Sequence, residues 1–273
     1  MASWDELAER VLLTADAREK AAMAEELLGE SRPEELASPP SRLPPARPAR
    51  PDRPHLVPPR EVAKRGLGKP EGRAALLHAL AHIELNAVDL AADMALRFAG
   101  EVPEGLRAEF VGDWFQVMGE EGLHFRLLEE RLREYGSRYG ALPAHDGLWQ
   151  AAIKTSDSLL ARLAVAPLIL EARGLDVTPG MARKLCGVGD GRSADILDVI
   201  YRDEIGHVRT GAKWFRLICR ELGHDPAESF HICVTTYHPQ GATPPFNGPG
   251  RAQADLPRDW YEGVASRDCR SSA

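Results

Sequence analysis

Glu120-Glu121-Gly122-Leu123-His124 and Asp203-Glu204-Ile205-Gly206-His207 are the two segments from which the architecture of this chain can be read. Each carries a glutamate and, three residues on, a histidine, and residues i and i+3 are neighbours on one face of a helix. Each also follows a lone glutamate at a similar interval: Glu84 lies 37 residues before Glu121, and Glu171 lies 33 residues before Glu204. Such an interval fits one helix running up, a connection, and a second helix running back. Two such halves predict an all-α four-helix bundle that gathers four carboxylates and two imidazoles, the donor set of a dinuclear carboxylate centre. Glu121 with His124 would bind one metal ion and Glu204 with His207 a second, with Glu84 and Glu171 bridging or binding terminally. Hard oxygen donors with one imidazole per metal suit two iron ions, with manganese as the alternative. The lack of a thiolate in the set argues against an iron–sulfur cluster or a cysteine-rich zinc knuckle.

The surroundings of the lone glutamates support this reading. Glu84 sits in Leu80-Ala81-His82-Ile83-Glu84-Leu85-Asn86-Ala87-Val88, and Glu171 follows Ala164-Val165-Ala166-Pro167-Leu168-Ile169-Leu170. A glutamate in an apolar helical run is costly to bury unless it is paired or metal-bound. Two further Glu-x-x-His pairs, Glu221/His224 and Glu228/His231, are set aside. Glu221 would lie roughly 25 Å beyond Glu204 along the same helix, on a different face, and Gly223 and Pro226 mark the helix end.

Periodicity predicts long helices over about 71–99, 104–136, 147–173 and 191–222. Gly136 falls past the end of the second and Gly174 at the C-cap of the third, and Thr178-Pro179 opens a short helix. Residues 3–31 read as two short amphipathic helices. Residues 223–273 read as an extension: Cys233-Val234-Thr235-Thr236-Tyr237 can be extended, and the Pro/Gly-rich tail from 238 is irregular. Between the short helices and the 71–222 bundle, residues 33–59 hold ten prolines, and 40–70 carry eight Lys/Arg (Arg42, Arg47, Arg50, Arg53, Arg60, Lys64, Arg65, Lys69) against Asp52 and Glu61. The segment lacks aromatic side chains for base stacking. It therefore reads as a strap across an acidic body rather than as an RNA-binding arm. Pro167, one turn before Glu171, should bend the third helix.

Whole-chain properties set bounds. The net charge of −7 over 273 residues gives no general case for nucleic-acid binding. The start lacks a signal peptide, no apolar run approaches the ~18 residues needed to span a membrane, and Cys186, Cys219, Cys233 and Cys269 form no Cys-x-x-Cys pair. These features point to a cytoplasmic protein with reduced thiols.

Around the ligands, Asp203 and Glu120 are placed to hydrogen-bond the imidazoles of the opposite motif, as carboxylates commonly do for metal-bound histidines. Gly122 and Gly206 interrupt the ligand turns at about 1 kcal/mol each in helix propensity, which close helix approach or space above the metals would explain. His82, two residues from Glu84, and Trp114 read as core residues. Tyr201 is the nearest candidate for redox chemistry, and Asn86 and Arg173 are candidate pocket residues.

His78-Ala79-Leu80-Ala81-His82-Ile83-Glu84-Leu85-Asn86-Ala87, Glu171-Ala172-Arg173-Gly174-Leu175-Asp176-Val177-Thr178-Pro179 and Asp203-Glu204-Ile205-Gly206-His207 resemble a bacterial ferritin-like family catalogued as a domain of unknown function. That family looks related to the tRNA-hydroxylating di-iron proteins of the MiaE type. The resemblance implies a ferritin-like four-helix core and supplies no substrate. Glu121-Gly122-Leu123-His124 departs from it in lacking the arginine often found before the ligand histidine in ferritin-like proteins. The expected function is an O2-dependent di-iron oxidoreductase, hydroxylase-like. It would act as a monomer or dimer on a small-molecule or RNA-borne substrate, with an external electron donor. The alternatives are a ferroxidase or iron-handling protein and a metal-bound scaffold without turnover.

Overall fold

Short polar caps and prolines place the helix starts. The computed structural model describes residues 2–28, 33–62 and 66–266; Lys64 and Arg65 of the strap, Cys269 and the last residues of the tail lie outside them. The backbone amide of Ser3 donates to Glu6 at 3.1 Å at the start of α1 (Trp4–Leu13), and Asp16 accepts from the amides of Arg18 and Glu19 at the start of α2 (Ala17–Glu26). A one-turn α3 (Pro33–Leu36) precedes the strap. Then come α4 (Pro70–Phe98), with proline at its first position, and α5 (Glu104–Glu134), which ends before Gly136 at φ 67°. The chain continues with α6 (Gly147–Lys154), α7 (Leu159–Val165), a π-helical segment (Ala166–Glu171), α8 (Ala172–Gly187) and α9 (Gly191–Leu222). It ends with α10 (Pro226–Tyr237), α11 (Gly248–Gln253) and α12 (Arg258–Gly263). The protein is an all-α helical bundle. Among the described residues the only β pairing is two isolated bridges, Leu56 with Ala144 and Ala242 with Ala265.

The third long helix expected over 147–173 is instead broken, and it continues past its expected end. Thr155-Ser156-Asp157 form a turn, and Ser158 accepts from the amide of Ala161 at 3.2 Å, restarting the helix as α7. A run of Ser, Thr and Asp side chains captures backbone groups locally and so competes with the helix. Pro167, which has no amide hydrogen, is absorbed in the π-helical turns rather than ending the helix. Gly174 is not a C-cap, and Pro179 lies inside α8. Residues 233–237 are helical in α10, and short helices α11 and α12 occupy the tail.

The chain divides into two compact units, Met1–Ile153 with Ala182–Ile196, and Lys154–Met181 with Leu197–Ala273. In the first, α4 and α5 pair through the short connection 99–103, and α1, α2 and α3 pack on them. Trp4 meets Phe115 edge-on at 6.4 Å. A Cβ at Gly122 would stand 2.6 Å from the Ala21 carbonyl oxygen, so α2 sits directly on the backbone of α5; close helix approach is the reason for that glycine. Lys20 of α2, 1% exposed, pairs with Asp89 of α4 at 2.5 Å and donates to the Ala49 carbonyl at 2.9 Å.

The strap lies on this unit. Arg42 pairs with Glu6 and Glu9 at 2.8 and 2.9 Å, Arg47 and Arg50 pair with Asp146 at 3.1 and 2.7 Å, and Arg50 also reaches Asn86. By length and composition α4 is apolar enough to cross a membrane, contrary to the sequence expectation. However, 72% of its apolar window is buried inside the protein, and Glu84, Asn86, Asp89 and Asp93 stand on it.

In the second unit, Phe215, Phe230 and Trp260 form an aromatic cluster with ring centroids 5.3–5.9 Å apart, joining α9, α10 and α12. Arg251 and Asp176 form a buried ion pair at 2.7 Å that ties α11 to α8.

Candidate metal centre

Helical phase brings the first ligand set together. Glu121 and His124 share one face of α5, and Glu84 projects from the paired α4. One ligand atom from each lies within 4.8 Å of the others. His124 Nδ1 is 3.1 Å from Glu84 Oε2 and 3.5 Å from Glu121 Oε2. All three side chains are buried, Glu121 and His124 completely. Burial pushes the Glu84 carboxyl far above the usual carboxylate range, repulsion from Glu121 pushes it further, and the bond to His124 opposes this only in part. Two glutamates forced together away from water must share a proton or hold a cation. Carboxylate oxygens with one imidazole nitrogen are a fitting donor set for a divalent transition metal. Glu84, Glu121 and His124 can therefore hold a metal ion.

The second set lies in the second unit. Glu204 and His207 are buried one turn apart on α9, with Nδ1 3.8 Å from Oε2. Glu171, half-buried, is the last residue of the π-helical segment, a helix form found frequently at functional sites. A Cβ on Gly211 would fall 2.6 Å from Pro167, and one on Gly174 would fall 3.7 Å from the Glu204 carboxyl carbon. These two contacts fix an antiparallel register that sets Glu171 level with His207. The residue expected to cap a helix, Gly174, thus borders the Glu204 carboxylate.

Neighbouring positions resolve into distinct roles. The His82 imidazole bonds the Tyr139 hydroxyl at 2.8 Å and the His145 carbonyl at 3.0 Å, and burial lowers its pKa to about 4. It is a core histidine, and Trp114 is likewise buried in the core. Asn86 donates to the His82 carbonyl at 2.6 Å. The Tyr201 hydroxyl accepts from Asn247 at 3.1 Å, and Arg173 donates to the Thr243 and Pro245 carbonyls at 2.8 and 3.1 Å, so both hold the C-terminal segment. Glu120 accepts from Gln116 at 2.7 Å, and Asp203 is half-buried. Nothing lies within 4 Å of a Cβ at Gly206, which leaves space in the second ligand turn. Glu221, His224 and Glu228 are exposed, and His231 bonds the carbonyls of Asp259 and Trp260. Sequence reasoning missed the Tyr139 partner of His82 and the Lys20–Asp89 pair. Their partners lie 57 and 69 residues away in the chain, and no local pattern encodes them.

A protein of Haemophilus influenzae described only as "Uncharacterized protein" is 44% identical over 191 residues, covering 68% of this chain and 66% of that protein. The match thus spans just under two thirds of the relative's length. No solved structure matches the chain. Residues 13–262 match the family described as "Protein of unknown function (DUF455)", and since that match takes in both Glu-x-x-His motifs and both lone glutamates, this chain belongs to the DUF455 family.

Proposed function

We propose that the two motifs act as one dinuclear centre, Glu84, Glu121 and His124 with Glu171, Glu204 and His207. On this reading the centre holds two metal ions, iron before manganese, and the protein is an O2-dependent oxidoreductase of the hydroxylase type. The observation that carries the proposal is the buried Glu84–Glu121–His124 cluster on α4 and α5, whose donor pattern the chain repeats at Glu171, Glu204 and His207. A reduced iron pair supplies O2 activation when bound. The residues of the chain do the rest. The buried carboxylates neutralise the ions, and Glu84 gives up its raised proton as a cation takes its place. The imidazoles fix the ion positions, and the apolar walls of α4 and α5 exclude water. Asp203 and Glu120 would orient the imidazoles.

The test is metal content and oxygen uptake of purified protein. Two ions per chain are expected, and His124→Ala or His207→Ala should each lower the content while the helical signal stays intact. Anaerobically reduced, iron-loaded protein should take up O2 without building a mineral from excess Fe(II). Rapid catalytic Fe(II) oxidation with many irons retained per chain would replace this reading with iron storage. Native zinc and no reaction with O2 would replace it with a scaffold.

A further inference from the structure

Arg216 of α9, α11, the turn at 254–257 and α12 line an open cleft of about 700 Å3 whose lining residues all belong to the second unit. That volume is in the range of small-molecule sites, roughly 300–1,000 Å3. Its aromatic wall is the half-buried Phe246, backed edge-on by Tyr261, which is only 3% exposed, with ring centroids 4.9 Å apart at 66°. The guanidinium of Arg251 lies 4.9 Å from one ring centroid and 4.5 Å from the other. Arg251 is itself 1% exposed and held by Asp176 through Nε at 2.9 Å and Nη2 at 2.7 Å. A buried ion pair therefore fixes both rings in place. The rest of the wall is aliphatic, from Pro249, Leu256 and Pro257.

The charged groups are disposed unevenly. Arg216 lies over the Trp260 ring at 5.3 Å, lines the cleft, and donates through its two Nη groups to the carbonyls of Ala212 and Asp255, so it contributes charge to the wall. Arg258 is engaged by Glu262 through Nε alone, at 2.8 Å, so among the described residues both of its Nη groups stay open to a ligand. Asp255 also lines the cleft, but its carbonyl takes Arg216 and its carboxylate faces Arg209 at 3.5 Å. Asp255, with φ 52°, caps the end of α11: the Leu256 amide donates to the Arg251 carbonyl at 3.0 Å, which sets the turn that floors the cleft.

We propose that this cleft binds a planar aromatic anion of nucleotide size, its ring along Phe246 and its phosphate or carboxylate on the open Nη groups of Arg258, beside the Arg216 guanidinium. A guanidinium fork such as that of Arg258 favours oxyanions over point-like partners, and a ring held in place as Phe246 is can stack a flat base or flavin.

Calorimetric titration of the full-length protein with FMN, AMP and riboflavin tests it. FMN or AMP should bind with a sub-millimolar dissociation constant, and riboflavin, which lacks the phosphate, at least tenfold more weakly than FMN. Ala252→Trp, at an exposed position on the cleft wall, should abolish binding. Arg258→Gln, at an exposed side chain, should weaken it at least tenfold with an unchanged unfolding midpoint. Absence of binding by both nucleotides, equal affinity for riboflavin and FMN, or binding untouched by either substitution would overturn the proposal.

Discussion

Two glycines in equivalent-looking places, Gly122 and Gly206, should respond to alanine in opposite directions. Each sits one to two residues from a ligand inside a long helix, where replacing glycine by alanine gains about 1 kcal/mol in helix propensity. At Gly206 nothing lies within 4 Å of the added methyl, so the gain should appear in full. At Gly122 the methyl would stand 2.6 Å from Ala21 O, 3.1 Å from Ala24 Cβ and 3.3 Å from Glu25 N. Comfortable separations are near 3.5 Å, so α2 must lift by roughly 0.9 Å. The obstructing atoms are largely backbone and cannot turn aside, which puts the overpacking cost at about 3 kcal/mol. The net expectation is a loss of about 2 kcal/mol for Gly122→Ala and a gain of about 1 kcal/mol for Gly206→Ala. In a chain of this size that corresponds to a midpoint about 4–8 °C lower in the first and about 2–4 °C higher in the second. Thermal melts of both variants, metal-free and followed by circular dichroism, decide the matter. A Gly122→Ala protein as stable as Gly206→Ala would show that α2 does not rest on α5 as described.

Lys20→Met should strand the Asp89 carboxylate, whose pKa burial already raises to about 6 against the relief that Lys20 provides. Because that value lies above the unfolded one, its stabilising contribution is complete below about pH 4 and is lost as pH rises through the folded value. The variant should therefore be weaker than wild type by about 3–5 kcal/mol at pH 8 and by much less at pH 4.5; equal urea midpoint shifts at the two pH values would refute this. Replacing His224 and His231 together with alanine should leave metal content unchanged, and loss of a full equivalent would reassign the ligands. Because Arg47 and Arg50 are committed to Asp146, the protein should show no salt-sensitive tRNA retention in filter binding. Retention that vanishes when Arg47, Arg50 and Arg53 are neutralised would show instead that the strap is a nucleic-acid arm.

The sequence alone placed α4, α5 and α9 within two residues of their observed ends, because a long amphipathic period with glycine past its end, and in α4 and α5 proline at its start, is local information. It also picked out Glu84, Glu121 and His124, since i,i+3 spacing on a helix forces two of them onto one face and the paired helix supplies the third. The extra Glu-x-x-His pairs were separable for the same reason.

Tertiary structure decided what local pattern could not. The 147–187 stretch has a helical period throughout, yet whether its Ser/Thr/Asp turn and Pro167 break, widen or bend the helix depends on which backbone groups find partners elsewhere. Gly122 and Gly206 look alike in sequence and differ only in whether another helix rests on them. The partners of His82, Lys20 and Arg251 lie 57, 69 and 75 residues away. Their choice follows from the energy of burying a polar group, which is settled only once the helices have packed and each buried donor must find an acceptor.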